Sequence, residues 1–147
     1  VNLEKVISMS EQTMTAASGK TILIVDDDLD FLDVIEARLK ADGFNVVRCE
    51  GQVPADAFLD GNGSFDLAVV DLMMEYMDSG FVLSRRIKKA DPTKPVIMAT
   101  GVESETGMGF DAGTREEKSW IQADVMLEKP IRYDQLKKQI DRLLPAG

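Results

Sequence analysis

Reactive side chains stand where apolar runs stop. Asp26 and Asp27 follow Ile22-Leu23-Ile24-Val25, and Asp71 follows Leu67-Ala68-Val69-Val70. Thr100 follows the run from Pro95 to Ala99, and Lys129 follows Val125-Met126-Leu127-Glu128. Clustered carboxylates repel one another and stay ionised together only beside a cation. Ligands that are all oxygen favour a hard ion, Mg²⁺ first, which keeps several waters and an open position when one or two carboxylates hold it. A carboxylate at such an ion can attack phosphorus, since aspartyl phosphate is an established covalent intermediate. Phosphoryl transfer needs mainly alignment and charge neutralisation. The Lys129 ammonium can neutralise charge on the phosphoryl oxygens, and the Thr100 hydroxyl can donate a hydrogen bond to one of them. The candidates are therefore Asp71 as acceptor, Thr100 and Lys129 as its helpers, and Asp26, Asp27 and Asp71 as ligands of Mg²⁺.

That chemistry needs these chain segments brought together, and the rest of the sequence says how. The 147 residues suit one domain, large enough to bury a core without disulfides or structural metal. Cys49 is the single cysteine and there is no histidine, which excludes an intrachain disulfide, a Cys/His zinc site and any Ser-His-Asp or Cys-His machinery. A net charge of -9 argues against a nucleic-acid partner. No apolar run approaches the roughly 20 residues of a membrane span, and no secretory leader pattern opens the chain. The expected location is the cytoplasm, with no membrane partner.

Residues 1–19 read as a disordered arm or expression remnant, with a short docking helix as the sharper alternative; 20–147 read as one domain. Within it, Ile22–Val25 and Leu67–Val70 are apolar on both faces, as central parallel strands are. Phe44–Cys49 carries Asn45 and Arg48 and suits an edge. Phe31, Leu32, Ile35 and Leu39 recur at helical spacing, with Asp28 as the cap before them. Val53–Leu59 makes a short helix with Pro54 in its first turn. A further helix starts near Ser79 with Phe81, Val82 and Ile87 inward, and a last one carries Leu136, Ile140, Leu143 and Leu144 on one face. Repeated β-α alternation implies an α/β fold with a parallel sheet and helices on both faces, of the flavodoxin-like (βα)5 doubly wound kind. In the strand order 2-1-3-4-5 the switch point falls between strands one and three, where ligands bind beyond the strands' carboxyl ends.

The strand-one acidic pair, the strand-three Asp71, the strand-four Thr100 and the strand-five Lys129-Pro130 together resemble the signature of bacterial two-component response regulator receiver domains, over about residues 20–145. The resemblance implies a phosphorylation-activated signalling switch rather than an enzyme acting on other substrates. Asp26, Asp27, Asp71 and the backbone carbonyl of Met73 would hold Mg²⁺. Asp71 would take the phosphoryl group from a phosphohistidine, and Thr100 and Lys129 would contact it. The implied partners are a sensor histidine kinase or phosphotransfer protein and a downstream protein effector, with a homodimer also open. The Lys129-Pro130 bond is often cis in that family, which aims the lysine.

Three positions depart from the family pattern. Glu75 stands where a loop-shaping proline is usual. Met126 replaces the switch aromatic. Gly101–Ile121 is glycine-broken where a helix should begin, with Thr114–Ile121 as a short helix within it. Trp120 and the methionines after Asp71 read as packing groups, and Cys49 as a passive edge-strand residue. The domain is expected to act alone, or as a receiver cut from a longer protein. Two rivals stand beside the receiver reading. Asp26-Asp27-Asp28 also fits the Asp-x-Asp of haloacid-dehalogenase-like phosphatases, with Asp26 as nucleophile, although Leu29 replaces their Thr or Val, no cap domain is present and Asp71 loses its role. The other rival is a degenerate, phosphate-independent binding module.

Overall fold

A computed structural model describes residues 19–101 and 122–145. The expected arm before Gly19, the glycine-broken stretch after Gly101, its short helix and Trp120 lie outside the described residues.

The strands are β1 (Thr21–Val25), β2 (Asn45–Cys49), β3 (Leu67–Asp71), β4 (Val96–Thr100) and β5 (Val125–Glu128). The described helices are α1 (Leu29–Ala41), α2 (Gln52–Asp60), α3 (Ser79–Ala90) and α4 (Tyr133–Leu143). All strand pairs are parallel and the order is β2-β1-β3-β4-β5, as the sequence predicts. Alternate residues of each strand feed two cores. Ile22, Ile24, Leu67, Val69 and Ile97 face Leu32, Ile35 and Leu39 of α1 and Leu136 and Ile140 of α4. Leu23, Val25, Ala68, Val70 and Val96 face Ala55 of α2 and Leu83 and Ile87 of α3. Burial on both faces explains why β3 and β4 are apolar without alternation. At the β2 edge Asn45 is exposed and only Cys49 is fully buried.

Local signals set the helix ends. The Asp28 carboxylate accepts the Phe31 N–H at 3.1 Å and caps α1. Pro54 sits in the first turn of α2, where its missing N–H costs nothing. One inward assignment fails. Val82 is 44% exposed, because the buried stripe of α3 runs through Phe81, Leu83, Ser84 and Ile87 and Val82 falls outside it. Arg86, on the same helix, pairs with the α2 carboxylates Asp56, at 2.9 Å, and Asp60.

The amino ends of the strands are closed by polar pairing. The Thr21 N–H donates to Asp66 Oδ2 at 2.7 Å and the Val96 N–H to Asp124 Oδ2 at 2.8 Å. Lys88 Nζ lies 2.7 Å from the same Asp124 oxygen, and Lys94 Nζ donates to the Phe65 carbonyl at 2.6 Å. Among the described residues no helix is long and apolar enough to cross a membrane.

Candidate functional site

The strand register brings the carboxyl ends level. Val25 pairs with both Cys49 and Val70, Asp71 with Ala99, and Thr100 with Glu128. Residues just past those ends therefore share one rim. Carboxylate oxygens of Asp26, Asp27 and Asp71 lie within 4.8 Å of one another. Asp26 and Asp71 are buried, whereas Asp27 is exposed. An all-oxygen trio with one member open to solvent fits a hard divalent cation.

The trio holds more negative charge than its neighbours offset. Asp26 Oδ1 accepts the Asp28 N–H at 2.9 Å, and Asp26 Oδ2 lies 3.0 Å from Lys129 Nζ. The same Nζ is 3.4 Å from Asp71 Oδ1, so one ammonium serves two buried carboxylates. Asp71 shows the shortfall: burial first, then the charge of Asp26, push its carboxyl up to about 7 against the opposing pull of Lys129. Burial alone would lower the Lys129 ammonium, but Asp71 and Asp26 together hold it above its ordinary range. Its Nζ also lies 5.3 Å from the centre of the Phe31 ring.

Thr100 is buried at the end of β4, and its carbonyl accepts the Lys129 N–H at 2.6 Å, which fastens the threonine and lysine strand ends together. The Lys129-Pro130 peptide is cis. The loop after Asp71 starts with Leu72, whose N–H donates to Ala99 and whose carbonyl accepts from Gly80 at 2.7 Å. Gly80 must be glycine here: a Cβ would lie 2.5 Å from Leu72 Cα and 2.6 Å from the Asp71 carbonyl oxygen. Half-buried Met73 and Met126 pack on a small cluster of Leu72, Phe81 and Met98, so Met126 does contribute apolar filling where the resemblance places an aromatic ring.

The fold thus gathers Asp26, Asp27, Asp71 and Lys129 directly, with Thr100 one strand pairing away from Lys129 and Met73 two residues past Asp71. Sequence reasoning marks Glu75 only as a departure from the family's proline and misses its contact. Its carboxylate reaches across to the first turn of α2, accepting the Gln52 N–H at 2.9 Å, which holds its carboxyl below the usual range. The signal that could have found it is Gly51, which caps α2 without a side chain to accept a hydrogen bond.

Comparison with known proteins agrees with this fold. The family model of the response regulator receiver domain matches residues 22–141. The transcriptional regulatory protein GlrR of Escherichia coli K12 is 32% identical over 84% of this chain and 26% of its own length. The heme response regulator HssR of Staphylococcus haemolyticus is 34% identical over 83% of this chain and 50% of its own length. A response regulator receiver domain protein from Clostridium thermocellum superposes with a TM-score of 0.69 at 25% identity, covering 85% of this chain and 94% of that one. The chain belongs to the response regulator receiver domain family, whose members are phosphorylation-activated switches of two-component signalling. It spans between about a quarter and a half of the length of the curated relatives it matches. The phosphatase reading is not favoured: the model that matches residues 22–141 is that of the receiver domain.

Proposed function

We propose that Asp71 accepts a phosphoryl group from a phosphohistidine, with Mg²⁺ held by Asp26, Asp27, Asp71 and the Met73 carbonyl. The observation that carries this reading is the buried Asp26–Asp71 pair sharing a single lysine beside an exposed third carboxylate. When bound, Mg²⁺ supplies the positive charge that keeps the carboxylates ionised and draws in phosphoryl oxygens. An Asp71 carboxylate oxygen attacks phosphorus as the donor N–P bond breaks, and that bond's electron pair stays with the leaving imidazole. Lys129 exchanges its contact with Asp71 for one with a phosphoryl oxygen, and the Thr100 hydroxyl donates to another. The donor is a sensor histidine kinase or phosphotransfer protein. The signal passes on through protein contacts in the cytoplasm. Residues 20–147 act as one receiver unit, and its catalysis is confined to its own phosphorylation and dephosphorylation.

Intact-mass spectrometry with phosphoramidate, with and without Mg²⁺, tests the reading. One phosphoryl adduct that needs Mg²⁺ and vanishes in Asp71→Asn supports it. An adduct that survives in Asp71→Asn and moves to Asp26 revives the phosphatase chemistry. No adduct on the wild type, beside a receiver that does react, supports a phosphate-independent binding module.

A further inference from the structure

The loop from Leu72 to Asp78 is pinned at both ends. The Leu72 hydrogen bonds to Ala99 and Gly80 hold its start, and the Ser79 hydroxyl accepts the Tyr76 N–H at 3.0 Å near its end. Its crown is held from outside by Glu75. One oxygen of that carboxylate accepts the Gln52 N–H at 2.9 Å; the other lies 3.1 Å from the same nitrogen and 3.5 Å from the Val53 nitrogen. The first turn of a helix leaves N–H groups without partners, and a carboxylate there satisfies them and meets the positive end of the helix dipole. Gly51 makes this approach possible in two ways. It has no side chain to cap α2 itself, and its φ of 146° with a Cβ that would lie 2.8 Å from Glu75 Oε2 leaves room only for glycine. The cap of α2 is thus supplied by the loop that carries Met73.

We propose that Glu75 is a positioning residue for the cation site, its carboxylate on α2 holding the crown of the 72–78 loop so that the Met73 carbonyl stays on the rim beside Asp71. The inference rests on the proposed Mg²⁺ site and adds a residue that touches neither metal nor phosphoryl group. It gives this chain a side-chain tether where a proline would stiffen the loop backbone, and it links α2 to the site mechanically.

The test is calorimetric Mg²⁺ titration of the wild type, Glu75→Ala, Glu75→Gln and Glu75→Pro, with hydrogen exchange at the Gln52 amide read in parallel. Glu75→Ala is expected to weaken Mg²⁺ binding roughly tenfold, the size typical of lost outer-shell support, and to speed Gln52 exchange. Glu75→Gln keeps an acceptor without the charge and should retain binding to within about threefold. Glu75→Pro should recover Mg²⁺ affinity while Gln52 exchange stays fast, because the loop is then stiffened without the tether. Equal affinity in the wild type and Glu75→Ala overturns the proposal and leaves the metal site standing. Equal weakening in Ala and Gln also overturns it, since charge rather than position would then be at work. A wild type that binds no Mg²⁺ removes the site itself and the proposal with it.

Discussion

The two ends of the sheet handle buried polar groups in opposite ways. At the amino ends each carboxylate serves its own partner. Asp66 takes the Thr21 N–H, and Asp124 takes the Val96 N–H with Lys88 alongside. At the carboxyl ends, Asp26, Asp27 and Asp71 crowd together while Lys129 divides itself between two of them. A fold selected for stability alone has no use for the second arrangement, because an under-compensated buried charge is costly. The difference separates closure of a sheet from a crowded set of carboxylates whose chemistry suits a cation. It follows from topology, since the switch point in strand order opens a crevice only at the carboxyl ends.

The sharpest way to break this comparison is Asp71→Asn. It should abolish the phosphoryl adduct in the intact-mass assay, whereas Asp66→Asn at the other end should leave adduct formation unchanged. Next in size is Lys129→Met, which removes the one cation shared by the buried pair; adduct formation in Mg²⁺ should slow by about 10²-fold, the scale set by loss of a transition-state charge partner.

A third expectation concerns pH in the absence of metal. The Asp71 carboxyl is raised to about 7 in the folded protein, largely by burial and then by Asp26, against about 3.9 in an unfolded chain. Between those values the folded state binds more protons than the unfolded state, so stability falls as pH rises. The penalty is absent below about pH 4 and complete above about pH 7, on the order of 2–4 kcal/mol. The difference in unfolding free energy between wild type and Asp71→Asn, measured by urea titration from pH 8 to 5, should shrink on acidification as the wild type gains. The smallest effect belongs to the paired end: Asp66→Asn weakens one charge-assisted hydrogen bond and should cost about 1 kcal/mol by the same titration.

Much of the molecule is legible in its sequence, for identifiable reasons. Strands buried on both faces are written as short apolar runs, and their reactive residues stand at the strand ends; Asp26, Asp71 and Lys129 can therefore be placed from residue order alone. The cap on α1 is legible because Asp28 and Phe31 are local neighbours. Val82 is misplaced by sequence because one helical step separates an inward residue from an exposed one, and α3 carries apolar residues at both Val82 and Leu83. The Glu75 tether is illegible because it joins residues 23 apart in sequence, and only the packing of α2 beside the 72–78 loop brings them together. How Lys129 divides itself between Asp26 and Asp71 is likewise a matter of distances, which residue types alone do not supply.

The most direct test of the contrast between the two ends is calorimetric Mg²⁺ binding to the wild type, Asp71→Asn and Asp66→Asn at pH 8. A single site in the wild type, kept in Asp66→Asn and weakened at least about tenfold in Asp71→Asn, is the expected result. Equal binding in Asp71→Asn and the wild type, or none in the wild type, would contradict the idea that the carboxyl-end carboxylates are held together for a cation.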